Sequence, residues 1–354
     1  MWKIVRFLII SGILLASSAA CQNAPSQPPA ADEVRELSVM THDSFEVSED
    51  VIAIFENEHN VRVKFLKAGD TGAAVNKAVL SVDNPLADVF YGVDNTFLSR
   101  ALDGGIFEPY ASPQLDQIPD QFLLDDEQRA LPVDYGDVCL NIDLTYFENA
   151  EVDAPADLDD LLEPAYAGLL VVENPATSSP GLAFLMATIG RYGDPGYLTY
   201  WEGLVQNDLL VVNDWETAYY SDFSRWGGTR PIVVSYGSSP PFEVLFAEEE
   251  MLEPPTQALT SAQSCFRQIE FVGILKGTTN RGLAEAWVDF MLSPTFQEDM
   301  PLNMYVFPVL PQAELDETFE TFMAVPAEPV ILDPARIAEN REKWIEAWTE
   351  AVLR

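Results

Sequence analysis

The chain is poor in cations. Its 354 residues carry 57 Asp and Glu against 19 Lys and Arg, a formal net charge of −38, and only two histidines, His42 and His59. No basic stripe exists to neutralise phosphates, which argues against nucleic-acid binding. Cysteine is equally scarce: Cys21, Cys139 and Cys265 are the three. There is no CxxC pair, HExxH or EF-hand loop, so neither a zinc nor a calcium site has support. The G-x-x-x-x-G-K, G-x-G-x-x-G and G-x-S-x-G signals of nucleotide and acyl chemistry are missing as well. No internal repeat is visible.

What is present suits a folded, water-exposed protein. Hydrophobic residues make up 48% and aromatics 11%, with a mean hydropathy of +0.02. The length implies two domains or one large one. The acidic excess attracts cations at long range, although unusual salinity favours it too.

Lys3 and Arg6 precede an apolar run, Phe7 to Ala16, and small residues follow from Ser17 to Ala20. This is the pattern of a secretory signal peptide at 1–20, too short for a membrane span. Cys21 comes next. Small residues ending at a cysteine resemble the lipobox of bacterial lipoproteins, with Ser18 where Leu is usual. That resemblance implies acylation of Cys21 and a membrane anchor; the alternative is plain cleavage near Ala20. Residues 21–36 read as a flexible tether, rich in Pro, Ala, Gln and Ser.

Beyond it, strand and helix alternate in units of about twenty to thirty residues, which predicts a largely parallel sheet. Strands are expected at Leu37–Met40, Val61–Leu66, Ala87–Tyr91, Leu169–Val172, Ile232–Ser235 and Gln268–Leu275. Helices are expected at Val47–Asn57, Ala73–Ser81, Thr96–Leu102, Leu182–Ile189 and Asn280–Leu292. Ser179 is the expected N-cap and Pro180 the first residue of the helix that follows. Such a helix start can bind phosphate or another acceptor, or be a cap and no more. Pro301–Val309 reads as a loop carrying Tyr305 and Phe307. Asp333-Pro334 opens a last helix with Ile337, Trp344 and Trp348 on its packing face.

The most informative stretch is Asn213 to Phe242. Trp215 and Tyr219 are four apart and share a face on a helix. Ile232–Ser235 leads into Tyr236 and a Gly-Ser-Ser-Pro-Pro turn, where strands of an α/β sheet open onto a crevice. Aromatic faces beside acidic and hydroxyl groups suit a flat organic cation; the alternative is ordinary core packing.

Seven motifs in order extend this reading: Thr41-His42-Asp43-Ser44-Phe45; Ala87-Asp88-Val89 with Gly92-Val93-Asp94-Asn95; Asp134-Tyr135-Gly136; Thr177-Ser178-Ser179-Pro180-Gly181; Trp215 with Tyr219; Ser235-Tyr236 with Ser239-Pro240; and Ser293-Pro294-Thr295-Phe296-Gln297. Together they resemble the thiamine-binding proteins of bacterial ABC importers, from about Leu37 to Arg354. The resemblance implies a type II periplasmic-binding-protein fold, α/β, with two discontinuous domains joined by a hinge. The lobes are expected at 37–136 with 263–310, and at 137–262 with 311–354. It implies a monomeric, non-enzymatic solute-binding protein with no cofactor. Such a protein captures thiamine or a thiamine phosphate and delivers it to ABC permease subunits.

It also implies a ligand set. Trp215, Tyr219 and Tyr236 fall on aromatic and hydroxyl positions of the family's pocket. Asp70, in a turn with Thr71, falls on the carboxylate near the aminopyrimidine, and Ser178 on the hydroxyl that can receive a phosphate. Three positions depart from the pattern: His42 and Phe242 stand where tyrosines are usual, and Tyr305 replaces a stacking tryptophan. Cation–π attraction is weaker for Tyr than for Trp.

Two cysteines remain after export, and in an oxidising compartment Cys139 and Cys265 are expected to pair; the alternative is two buried free thiols. Two further readings stay open. Adjacent Tyr219 and Tyr220 suggest ferric iron, as in related proteins of this fold. A free, activated Cys139 would suggest a thiamine-cleaving transferase.

Overall fold

The computed structural model describes residues 35–247 and 251–354. The leader at 1–20, Cys21 and the tether as far as Val34 lie outside the described residues. Arg35 and Glu36, expected in the tether, belong to the first strand because they pair with Val61 and Arg62 of the second.

Among the described residues eleven strands form one sheet. They are β1 (Arg35–Thr41), β2 (Val61–Lys67), β3 (Val89–Asp94), β4 (Phe107–Glu108), β5 (Leu131–Asp143), β6 (Leu170–Glu173), β7 (Leu210–Val212), β8 (Ile232–Tyr236), β9 (Thr256–Leu259), β10 (Phe266–Leu275) and β11 (Phe307–Pro308). The main path runs β2-β1-β3-β10-β5-β8-β6-β7. β1 is parallel to β2 and β3, and β6 is parallel to β7 and β8. Between these parallel triads stand β10 and β5, antiparallel to each other and to their outer neighbours. The expected largely parallel sheet is therefore a mixed one. The chain builds the second triad first, then returns through β10 against the direction of β3.

β5 is 13 residues long and buried almost throughout. Its first part pairs with β10 and β11, its second with β8 and β9. The expected boundary at Gly136/Asp137 thus falls inside one continuous strand. The sulfurs of Cys139 on β5 and Cys265, just before β10, lie 2.11 Å apart, and both residues are wholly buried.

The helix Ser179–Tyr192 is buried on all sides from Ser179 to Ile189, which is why its sequence reads as an apolar run with no polar face. Its N-cap is Ser178, not Ser179. Pro180 sits in the first turn, where a missing N–H breaks no intrahelical bond. The last helix, Pro334–Val352, is capped by the Asp333 side chain, which accepts from the Ala335 N–H at 2.8 Å. Its Trp348 meets Trp201 edge-on at 5.4 Å. Trp344 donates to Asp194 at 3.0 Å.

Two short stretches differ from expectation. The Ser239-Pro240-Pro241 turn is the first turn of a helix, Ser239–Leu245. The 301–309 stretch is not a loop: it holds a helical turn, Met300–Met304, and then β11 against β5. In both, proline lies within the first turn, so a sequence signal for chain reversal also fits a helix start.

Candidate functional site

A cavity of about 170 Å³ opens where loops from both parallel triads meet β10. From the end of β1 come His42, Ser44 and Glu46. Asp70 and Thr71 enter at the start of the helix Thr71–Leu80. Ser179 and Pro180 stand at the start of the buried helix, and Tyr236 ends β8. Trp215, Glu216 and Tyr220 come from a wide helical turn, and Tyr305 from the turn before β11. Glu270 projects from the middle of β10.

Six of the nine expected ligand residues therefore share this cavity: His42, Asp70, Thr71, Trp215, Tyr236 and Tyr305. Tyr219 and Phe242 do not line it. They line a second chamber of about 500 Å³ that shares Tyr220 and Tyr305 with the first. Ser178 lines neither; it is wholly buried, with its hydroxyl beside the Asp70 carboxyl.

The aromatic walls are held in place. Trp215 stacks on Tyr219 at 5.1 Å and 19°, as the four-residue spacing predicts. Its indole N–H donates to Ser235 Oγ at 3.0 Å. The Tyr236 ring lies on β5 over Gly136, where a Cβ would come within 2.9 Å of the ring. Tyr305 adopts the left-handed region, with φ 62°, and its ring centre is 3.9 Å from that of Phe242. Left-handed backbone in a residue with a bulky side chain is uncommon and clusters at functional sites.

Gly92 in β3 has φ +100°, and a Cβ there would lie 2.4 Å from the His42 ring. Gly92→Ala is expected to cost about 1–3 kcal/mol in strain and to push His42 from its seat. A melting-temperature drop together with altered ligand affinity is the expected outcome; an unchanged melting temperature would refute it.

Two of the four carboxyl groups lining the cavity, Asp70 and Glu270, are enclosed, while Glu46 and Glu216 are exposed. Asp70 caps its helix through Oδ1, which accepts from the Thr71 N–H at 2.8 Å, while Oδ2 is enclosed. Burial pushes its carboxyl up to about 7, against the Thr71 N–H and the Ser178 hydroxyl, which hold it down. Tyr91 contacts Asp134 at 2.6 Å and Glu270 at 3.0 Å. A phenol has one proton to give, so both contacts are satisfied when one of the two carboxyls keeps its own. Burial raises the Asp134 carboxyl above its ordinary value, and burial together with Asp134 holds Glu270 well above the usual range. His42 Nε2 lies 3.5 Å from Glu270 Oε1. Burial lowers His42 to about 4, so it is neutral at physiological pH.

The carboxyl of Glu270 is a site group that the motifs did not single out. Its signal is an acidic residue between the apolar Ile269 and Phe271 of a buried strand. Glu216 and Glu46 lie outside the seven motifs and carried no such signal, and Tyr220 stood out only beside Tyr219 as an iron ligand.

The geometry defines a binding cleft, and comparison with known proteins assigns its class. The sequence model of the bacterial extracellular solute-binding proteins matches residues 84–324. The chain belongs to that family. A thiamine-binding periplasmic protein of Brucella abortus is 28% identical over 333 residues, covering 92% of this chain and 95% of that protein. A solved periplasmic thiamin binding protein matches with a TM-score of 0.81 and 27% identity, covering 92% of this chain and 99% of that one. A ferric binding protein from Campylobacter jejuni matches with a TM-score of 0.73 at 19% identity and shares the fold alone. The architecture is the type II periplasmic-binding fold.

Proposed function

We propose that this protein binds thiamine in the cleft and delivers it to an ABC permease. One observation carries the reading. The cavity joins the aromatic faces of Trp215, Tyr220, Tyr236 and Tyr305 to four carboxyl side chains, with no Lys or Arg among its described lining residues. Thiamine has a permanent thiazolium charge and cannot neutralise itself on leaving water, so it needs such compensation. Each aromatic face supplies about 0.5–2 kcal/mol. Asp70 and the pocket hydroxyls can pair with the aminopyrimidine. Contacts from both sides of the crossing strands β5 and β10 favour a closed form by their differential free energy, and the permease reads that form. The same reading makes the protein exported, anchored through an acylated Cys21, and monomeric, with Cys139 and Cys265 joined as a disulfide.

Iron is the competing ligand, favoured by the Tyr219-Tyr220 pair and by the ferric relative. Against it, Tyr219 gives its hydroxyl to Glu243 at 3.1 Å. Among the described residues no three His, Cys, Asp or Glu side chains are grouped to hold a metal. The transferase reading needs an accessible Cys139, and that sulfur is buried against Cys265.

Calorimetric titration of the mature protein with thiamine decides between these. Heat release with quenching of tryptophan fluorescence is expected. No heat and no thermal shift would overturn the proposal, and a tyrosinate-to-iron colour would favour the alternative.

A further inference from the structure

Glu270 stands in the middle of a row of three acids laid across the sheet. On β10 it pairs with Asp94 of β3 on one side and with Asp134 of β5 on the other. Residues paired in this way share a face of the sheet, where like charges directly opposite one another are destabilising. All three are buried, and of the three only Glu270 lines the cavity. The outer two are supplied with donors. Asp94 accepts from the Thr96 N–H at 2.6 Å and from the hydroxyls of Thr96 and Ser179, and the Arg341 charge lies beyond it. Asp134 takes the shorter of the two Tyr91 contacts, 2.6 Å against 3.0 Å to Glu270, and lies within hydrogen-bonding reach of Glu270 itself.

No strong cation answers Glu270. Among the described residues its ion-pair contact is His42, whose Nε2 lies 3.5 Å from Oε1 and which is neutral. Tyr236, from β8, is the remaining titratable neighbour, and its hydroxyl meets the Gln268 amide at 3.3 Å. Glu173, the last residue of β6, is wholly buried as well, but it faces Asp70 and Asp214 and does not line the cavity.

Before a cation enters, burial and the two flanking acids favour the protonated form of Glu270. Asp134 is then the ionised member, accepting from the Tyr91 hydroxyl and from the Glu270 carboxyl, so two protons satisfy all three groups. The pair carries one negative charge, placed on the residue that does not touch the cavity. A cation in the cavity lies nearer to Glu270 and reverses that preference.

We propose that Asp134 and Glu270 form a counter-ion relay: when the ligand's fixed positive charge arrives, the carboxyl proton of Glu270 passes along their hydrogen bond to Asp134, leaving Glu270 ionised against the cation. One O–H bond breaks on Glu270 and one forms on Asp134, and this pair neither takes up nor releases a proton. Tyr91 keeps its own proton and turns its hydroxyl to Glu270. His42, being neutral, can carry its proton on Nε2 toward the new carboxylate. Glu270 thus determines specificity for charge, and Asp134 is a positioning residue that acts through it. The inference rests on the thiamine reading above and deepens it. The site makes its anion only when a cation is there to face it, which avoids holding an unpaired carboxylate out of water.

The test is calorimetric titration of the mature protein at pH 8 in wild type, Glu270→Gln, Asp134→Asn and the double variant. The ligands are thiamine and an uncharged isostere in which carbon replaces the thiazolium nitrogen. Glu270→Gln is expected to weaken thiamine about tenfold, less than a bare ion pair would give because the proton transfer offsets part of the Coulomb gain. The isostere, with no charge to answer, is expected to change by less than about twofold. Asp134→Asn should lose the same tenfold, since Glu270 then has no carboxylate to receive its proton, and the double variant should lose no more than either single one. Both substitutions keep the side-chain shape, and melting temperatures check that the variants fold. Infrared difference spectra of wild type, bound minus free, supply a readout that needs no variant. One protonated-carboxyl band should be replaced by another at a shifted frequency, and the replacement should be missing from Glu270→Gln. Equal weakening of both ligands, losses that multiply to about 100-fold in the double variant, or an unchanged carboxyl band in wild type would each overturn the relay and leave thiamine binding standing. No binding of either ligand to wild type would overturn both.

Discussion

Asp70→Asn is expected to weaken thiamine binding by about 30–100-fold at pH 8, from a charge pair worth roughly 2–3 kcal/mol at an effective dielectric near 20. The substitution isolates charge from structure. Asparagine caps helices as well as aspartate does, so the bond from the Thr71 N–H to Oδ1 survives. The pH dependence supplies a second readout. Burial holds the Asp70 carboxyl near 7, so it is mostly protonated at pH 6 and mostly ionised at pH 8. A bound cation favours the ionised form. Wild-type affinity should therefore rise about tenfold between pH 6 and 8, with a proton released on binding. In the variant this rise should largely vanish, and any remainder belongs to the Asp134–Glu270 pair. Titrations in buffers of different ionisation heat would measure the proton directly, and equal pH slopes in both proteins would refute the assignment.

The stability of the ligand-free protein should move the opposite way. Asp70 has its folded-state value raised to about 7 from 3.8, and Asp134 is raised as well. Between pH 4 and 7 the folded protein thus holds protons that the unfolded chain has lost. These groups therefore make stability fall as pH rises through that window. Above it the deficit is complete, and a cation in the cleft offsets part of it.

Removing both cysteines, as Cys139→Ser with Cys265→Ser, is expected to lower stability by about 4–5 kcal/mol, the chain-entropy value for a loop of this size. The sulfurs close a loop with a sequence separation of 126. For a chain of this length the loss corresponds to a fall in melting temperature on the order of 10 °C. Scanning calorimetry of the double variant, and of wild type with and without reductant, checks it. Thiol titration of the denatured, unreduced protein should find neither residue reactive. Two reactive thiols with an unchanged melting temperature would refute the bond. They would not revive a catalytic Cys139, because that residue lies in the wall between β5 and β10 and not in the cleft.

Much of this arrangement was legible in the chain. The order of strands and helices was readable because buried strands are built on short β-branched or apolar runs such as Ile232–Val234 and the helices between them carry a regular face. The stacking of Trp215 on Tyr219 follows from a spacing of four. The antiparallel centre was not readable, since β10 has the same apolar composition whichever way it runs. Tyr219 and Phe242 were expected beside Asp70, yet they face a different chamber. The resemblance gives which residues point inward but not how Tyr220, between them and the cleft, is turned. Glu270 and Glu173 were missed because a single acid in a buried strand becomes meaningful only when its neighbours in space are known. Asp134, from the sheet's other central strand, is one such neighbour.

Tyr220 and Tyr305 belong to both chambers, so together they form a partition. Thiamine consists of two aromatic rings on a one-carbon bridge, and a guest that places one ring in each chamber has to displace a phenol to do so. Tyr305 already occupies a left-handed backbone conformation, so a change there has strain to relieve. For such a guest, room for the second ring would be made by the act of admission, and the space filled would be larger than the first chamber alone.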